Sequence, residues 1–131
     1  MFKNKIHHIG IIVPNEEQVN FLLKLMGLER GHSVYVKEYQ ANCIFGKEEG
    51  RLLEFIVPDT NSKLSKFNNG LGGIHHLAIE TPDIETTTSY LEKEFEINFL
   101  ESQPVIAGDL LINFLSPIMT RGIIIEFVQK I

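Results

Sequence analysis

The chain has no tryptophan, one cysteine and no long apolar run. Each absence removes a class of protein. Cys43 cannot close an internal disulfide, and its neighbours Asn42 and Ile44 offer nothing that would activate a thiol, so it reads as a small buried hydrophobe. No stretch approaches the roughly 20 apolar residues that cross a bilayer. The opening Met1-Phe2-Lys3-Asn4-Lys5 leads into a strand-like segment and not into a signal-peptide core, so the expected location is the cytoplasm. Positive charge is also scarce: 12 Lys and Arg face 17 Asp and Glu, for a net charge of -5. Without a basic cluster interleaved with aromatics, nucleic acid is disfavoured as a partner. A small molecule or another protein is expected instead.

What remains is 131 residues, 44% hydrophobic and 22% charged, the size and balance of a single domain spanning residues 1–131. The chain is written twice. Ile6 to Pro14 reads IHHIGIIVP and Ile74 to Pro82 reads IHHLAIETP, and the second histidine and the proline of each frame are both 68 residues apart. After each proline comes a good helix cap, Asn15 or Asp83, followed by acidic residues in the first turn: Glu16 and Glu17 in one copy, Glu85 in the other. Helical spacing follows in Val19, Leu22, Leu23 and Met26, stopped by Gly27, and again in Ile84, Thr88, Leu91 and Phe95.

Strand-like runs complete each half. The first half predicts Ser33 to Phe45, broken or bent within, and Leu52 to Val57; the second predicts Ile97 to Leu100, Leu110 to Leu115 and Ile123 to Val128. Module one is thus about 1–58, module two about 74–131, and the turn-rich stretch about 59–73 the linker. The expected class is α+β, two βαβββ modules whose sheets pair because neither buries its own apolar face alone.

Four of the five histidines stand in the two adjacent pairs. Neighbours on a strand point to opposite faces, so one of each pair is structural. His7 shares a face with Ile9, Ile11 and Val13, and His75 with Leu77 and Ile79, which suits packing under a helix or at a sheet edge. His8 shares its face with Gly10 and His76 with Ala78, and those small neighbours leave room for a ligand. His8 and His76 are therefore the site candidates. Two carboxylates join them. Glu54 and Glu126 each sit in mid-strand between large apolar residues, where an uncompensated charge is expensive to bury. Arg51 and Arg121 stand only at the strand mouths. Two imidazoles and two carboxylates with no thiolate suit one divalent ion of the Ni, Co, Mn, Fe or Zn type.

At these residues the sequence resembles the vicinal oxygen chelate superfamily (glyoxalase, bleomycin resistance and dioxygenase proteins) along essentially its whole length. It is most similar to the branch of methylmalonyl-CoA epimerase-like proteins, which the segments IHHIGIIVP, LLEFIVP, GGIHHLAIETPD and GIIIEFV resemble. The resemblance implies a cup-shaped, barrel-like mixed sheet with helices outside, metal ligands at His8, Glu54, His76 and Glu126, and a homodimer. It also implies a metal-dependent isomerase or lyase that takes a proton alpha to a carbonyl, with Glu126 or Glu54 moving the proton. Glu38, Gln40 and Asn42 are further candidates for the base. The substrate implied is an acyl-CoA, or a hemithioacetal if the chain is like the lactoylglutathione lyase glyoxalase I. Neither glutathione-binding features nor a basic cluster for CoA phosphates is found, and Lys63, Lys66 and Arg121 read as surface charges. Two other readings compete. An extradiol dioxygenase is disfavoured because Glu54 would fill its open corner, and a non-catalytic binding or resistance protein is disfavoured because such modules often lack the ligand set.

Overall fold

The computed structural model describes residues 3–131; Met1 and Phe2, part of the opening stretch read above, lie outside them. The first half runs β1 (Lys5–Ile12), α1 (Glu16–Met26), β2 (Arg30–Val36), β3 (Ala41–Gly46) and β4 (Leu53–Pro58). The second repeats it as β5 (Gly73–Glu80), α2 (Ile84–Phe95), β6 (Val105–Ala107), β7 (Leu110–Phe114) and β8 (Ile125–Lys130). The α+β class is as expected. The strands of each half form a mixed arrangement, in the order β2-β3-β4-β1 in the first half and β5-β8-β7-β6 in the second. In each half the first strand lies parallel to the last, β1 to β4 and β5 to β8, while the second, third and last form an antiparallel meander.

The chain divides into two compact units, residues 8–75 and residues 76–131 with the start of the chain up to His7. In the first unit the caps act as the sequence predicts. Asn15 accepts the Gln18 N–H at 2.9 Å, and the left-handed Gly27 (φ 69) closes α1 by donating to the Lys24 carbonyl. Val19 and Leu23 of α1 then bury against Val13, Ile44 and Phe55, with Ile11, Leu53 and Val57 at the margin. Because Ile11, Leu53, Phe55 and Ile44 occupy one face of the sheet, the opposite face is left to His8, Glu54 and Phe45.

The stretch Ser33 to Phe45 does break: a 3-10 turn at Lys37–Tyr39 and a left-handed Gln40 separate β2 from β3. The linker is anchored, not loose. The buried Ser62 hydroxyl donates to the Tyr39 carbonyl at 2.7 Å and accepts the Leu64 N–H at 3.1 Å, and Asp59 N–H reaches the Gln40 carbonyl at 2.8 Å. At its end Gly72 adopts φ +76, and a Cβ there would collide with the Ile12 carbonyl oxygen.

In the second unit Asp83 caps α2 by accepting the Thr86 N–H at 3.1 Å, and the Gln129 side chain accepts the Ile84 N–H at 2.8 Å, tying the helix to β8. One expected strand is absent. Ile97 to Leu100 makes an isolated bridge from Phe99 to Leu115, and the third meander strand is the three-residue β6. The alternation of Ile97 and Phe99 is satisfied by packing, with Ile97 buried and Phe99 edge-on to Phe127 at 6.0 Å. The buried Asn113 amide clamps the chain after them, donating to the Glu101 carbonyl at 2.9 Å and accepting its N–H at 3.2 Å.

Phe55 is wholly enclosed beneath α1. Phe55→Ala is expected to lower the stability of the chain by about 3–5 kcal/mol, read as a drop in the urea unfolding midpoint. Gly72→Ala, which combines a left-handed backbone with a backbone collision, is expected to cost more than about 1 kcal/mol in the same measurement.

Candidate functional site

Each unit holds one of the predicted histidines and brings it to the predicted glutamate. In the first, β1 and β4 run parallel with Gly10 opposite Glu54, and the Nε2 of His8 lies 3.4 Å from Oε1 of Glu54. In the second, Ala78 stands opposite Glu126, and Nε2 of His76 lies 3.3 Å from Oε1 of Glu126. A small residue, Gly10 or Ala78, stands opposite each glutamate, which leaves the carboxylate space beside the histidine two residues upstream. All four side chains are buried, His8 at 1%, Glu54 at 9%, His76 at 4% and Glu126 at 4% exposure. Burial to that degree is costly for an ionised carboxylate unless a cation compensates it.

The spacing inside each pair bears on what that cation is. Charge-assisted N–H···O bonds contract to about 2.7–2.9 Å, shorter than either separation. Two ligand atoms each about 2.1 Å from a common ion lie about 3 Å apart at a right angle and about 3.4 Å apart at the tetrahedral angle, a range that contains the separation in each unit. Both pairs therefore fit as neighbouring donors to a divalent metal, and nitrogen and carboxylate oxygen without thiolate is a set for a borderline or hard ion.

A second layer of the site was not read from the sequence. Phe45 stands directly opposite Glu54 in the β3–β4 ladder and meets His8 edge-to-face at 5.4 Å and 89°. Phe114 stands directly opposite Glu126 in the β7–β8 ladder and meets His76 edge-to-face at 5.2 Å and 89°. In both units, then, one phenyl ring buttresses the imidazole from the strand next to the glutamate, fixing the ring plane by packing. The sequence offers only a weak sign of it: Cys43-Ile44-Phe45 and Ile112-Asn113-Phe114 each place a phenylalanine near the end of the third strand of a module, where spacing alone reads it as core.

The remaining predicted residues lie elsewhere. His75 packs edge-on against Phe67 at 4.9 Å, and His7 is half-buried, in keeping with structural roles. Of the further candidates for the base, Glu38 is exposed within the 3-10 turn, Gln40 is exposed at the turn that follows, and Asn42 points to α1, where its amide donates to Glu16 at 3.2 Å. Asn42 therefore faces away from Glu54. Lys63, Lys66 and Arg121 are all exposed, and Cys43 is buried.

Comparison with known proteins places this pattern. The model of the glyoxalase/bleomycin resistance protein/dioxygenase superfamily matches residues 7–114. A mitochondrial methylmalonyl-CoA epimerase of Dictyostelium discoideum is 27% identical over 131 residues, covering 96% of this chain and 78% of its own length. A hypothetical protein from Bacillus halodurans superposes with a TM-score of 0.86 at 28% identity, over 98% of this chain and 96% of that one. The methylmalonyl-CoA epimerase of Streptomyces coelicolor, solved in complex with 2-nitronate-propionyl-CoA, superposes with a TM-score of 0.83 at 22% identity over 99% of both chains, a likeness of fold. With the family model covering both His–Glu strands of the first half and the start of the second, and the duplicated βαβββ architecture present throughout, the chain belongs to the glyoxalase/bleomycin resistance protein/dioxygenase superfamily.

Proposed function

We propose that the chain is a metal-dependent enzyme that removes and returns a proton alpha to a carbonyl, with epimerisation of an acyl-CoA thioester as its reaction. The observation that carries this reading is the recurrence, once per unit, of the same buried His–Glu pair braced by the same phenylalanine. Support comes also from the curated relatives, which are methylmalonyl-CoA epimerases, and from the substrate analogue bound by the Streptomyces enzyme. His8, Glu54, His76 and Glu126 would together hold one divalent ion. Such an ion supplies Lewis-acid charge that makes a C–H bond beside a carbonyl more acidic.

The chain's own groups do the rest. The two imidazoles, held in plane by Phe45 and Phe114, serve as neutral donors whose orientation costs little on binding. Burial keeps bulk water from the carbanion-like carbon. The carboxylate of Glu126 or Glu54 takes the proton from the alpha carbon and becomes a carboxylic acid. A proton delivered to the opposite face by the other of these two carboxyl groups, in its acid form, inverts that carbon, and the substrate gains and loses no other atom.

Protein purified without chelator is expected to contain about one divalent ion per chain by elemental analysis, and His8→Ala and Glu126→Ala to lose it. Unchanged occupancy in both variants, or no metal in the native chain, would leave a non-catalytic binding protein as the better reading. With metal loaded, methylmalonyl-CoA in D2O is expected to gain deuterium at the alpha carbon, and Glu126→Gln or Glu54→Gln to slow that exchange by about 10²–10⁴-fold. Turnover of the methylglyoxal hemithioacetal with no exchange into methylmalonyl-CoA would replace the epimerase reading with a glyoxalase-type lyase.

A further inference from the structure

The fifth histidine has no place in the scheme so far. His32 lies on β2, the edge strand of the first half, where the β2–β3 register shifts between Arg30 and Ser33. The irregularity depends on Gly31, because a Cβ there would come within 2.6 Å of the Gly46 carbonyl oxygen and 2.8 Å of that of Phe45. Its effect is to lay the His32 ring flat on Phe45, with centroids 4.8 Å apart and planes 12° from parallel. Phe45 is the ring that braces His8 and stands opposite Glu54. His32 therefore shares the sheet face of the His8–Glu54 pair, one phenyl ring farther out, and it is exposed.

Its nitrogens are uncommitted. Among the described residues the imidazole makes this ring contact and no hydrogen bond or ion pair. Two basic side chains of this edge are engaged: Arg30 by Glu16 at 3.4 Å and Asn20 at 3.2 Å, and Lys47 by Glu29 at 3.8 Å. An imidazole oriented by stacking, with both nitrogens open, is a preorganised donor for an anionic oxygen. Nothing of the kind stands at the matching place in the second unit, where β6 is the three residues Val105–Ala107.

We propose that His32 is a substrate-binding residue, which donates to an anionic oxygen, carboxylate or phosphate, of the acyl-CoA whose reacting carbon lies at the His8–Glu54 pair. This rests on the functional reading above and adds to it the group that receives the outer part of the substrate. Among the described residues the second unit contributes no equivalent, so recognition of this anion falls to the first unit alone.

The test is calorimetric titration of the metal-loaded full chain with methylmalonyl-CoA and, separately, with propionyl-CoA, which lacks the free carboxylate. His32→Phe, which keeps a ring over Phe45 and removes the donor, is expected to raise the Kd for methylmalonyl-CoA about tenfold, the loss of one charge-assisted contact. His32→Arg, whose planar cation also stacks on an aromatic face, is expected to restore most of it. A defect in His32→Phe seen with both ligands assigns the anion to the CoA phosphates, and one seen only with methylmalonyl-CoA assigns it to the acyl carboxylate. Wild-type affinity in His32→Phe for both ligands overturns the assignment of His32 alone, as does a defect that His32→Arg fails to repair. A wild-type chain that binds metal but neither ligand takes the acyl-CoA reading and this inference down together. Circular dichroism of both variants confirms that they fold.

Discussion

Two carboxylates sit where apolar side chains would be cheaper, and the rest of the molecule is arranged around that expense. Each is carried near the start of its strand between large hydrophobes, each has an imidazole at 3.3–3.4 Å, and each is approached from the parallel strand by glycine or alanine. Replacing one such pair with well-packed aliphatics would stabilise the sheet or leave it unchanged. Their persistence in both halves is thus the mark of a function that the fold accommodates and does not need for folding.

The parallel pairing within each half is what makes the arrangement repeatable. Because β1 lies against β4 and β5 against β8, a histidine halfway along the first strand and a glutamate early in the last meet by register alone, without loops to position them. The helix follows from the same geometry. A strand that must return parallel needs a crossover, and α1 fills it while burying the sheet face that the site does not use. One face is therefore packed for stability with Phe55 and Ile44, and the other is left for chemistry with His8, Glu54 and Phe45.

Much of this was legible in the sequence because duplication supplies an internal control. A lone His8 or a lone Glu54 would have read as an ordinary buried residue; the matching His76 and Glu126 made them a set. The caps at Asn15 and Asp83 and the stop at Gly27 were legible for local reasons, since they satisfy backbone groups within a few residues. Three features were not. Ile97 to Leu100 carries strand-like alternation, yet the side-chain clamp of Asn113 on Glu101 decides the path of the chain after it, and that clamp joins residues far apart in sequence. Phe45 and Phe114 look like core residues from spacing alone, since their meaning comes from what stands opposite them in the ladder. His32 depends on a register shift, which hydrophobic pattern does not encode.

The unequal edge strands have a consequence for tolerance. Seven residues of β2 against three of β6 show that the two halves match at their centres and differ at their rims. A strand paired on one side only can change its length without breaking a ladder on its other side, so insertions and deletions should be accommodated at these outer strands far more readily than at the strands between them.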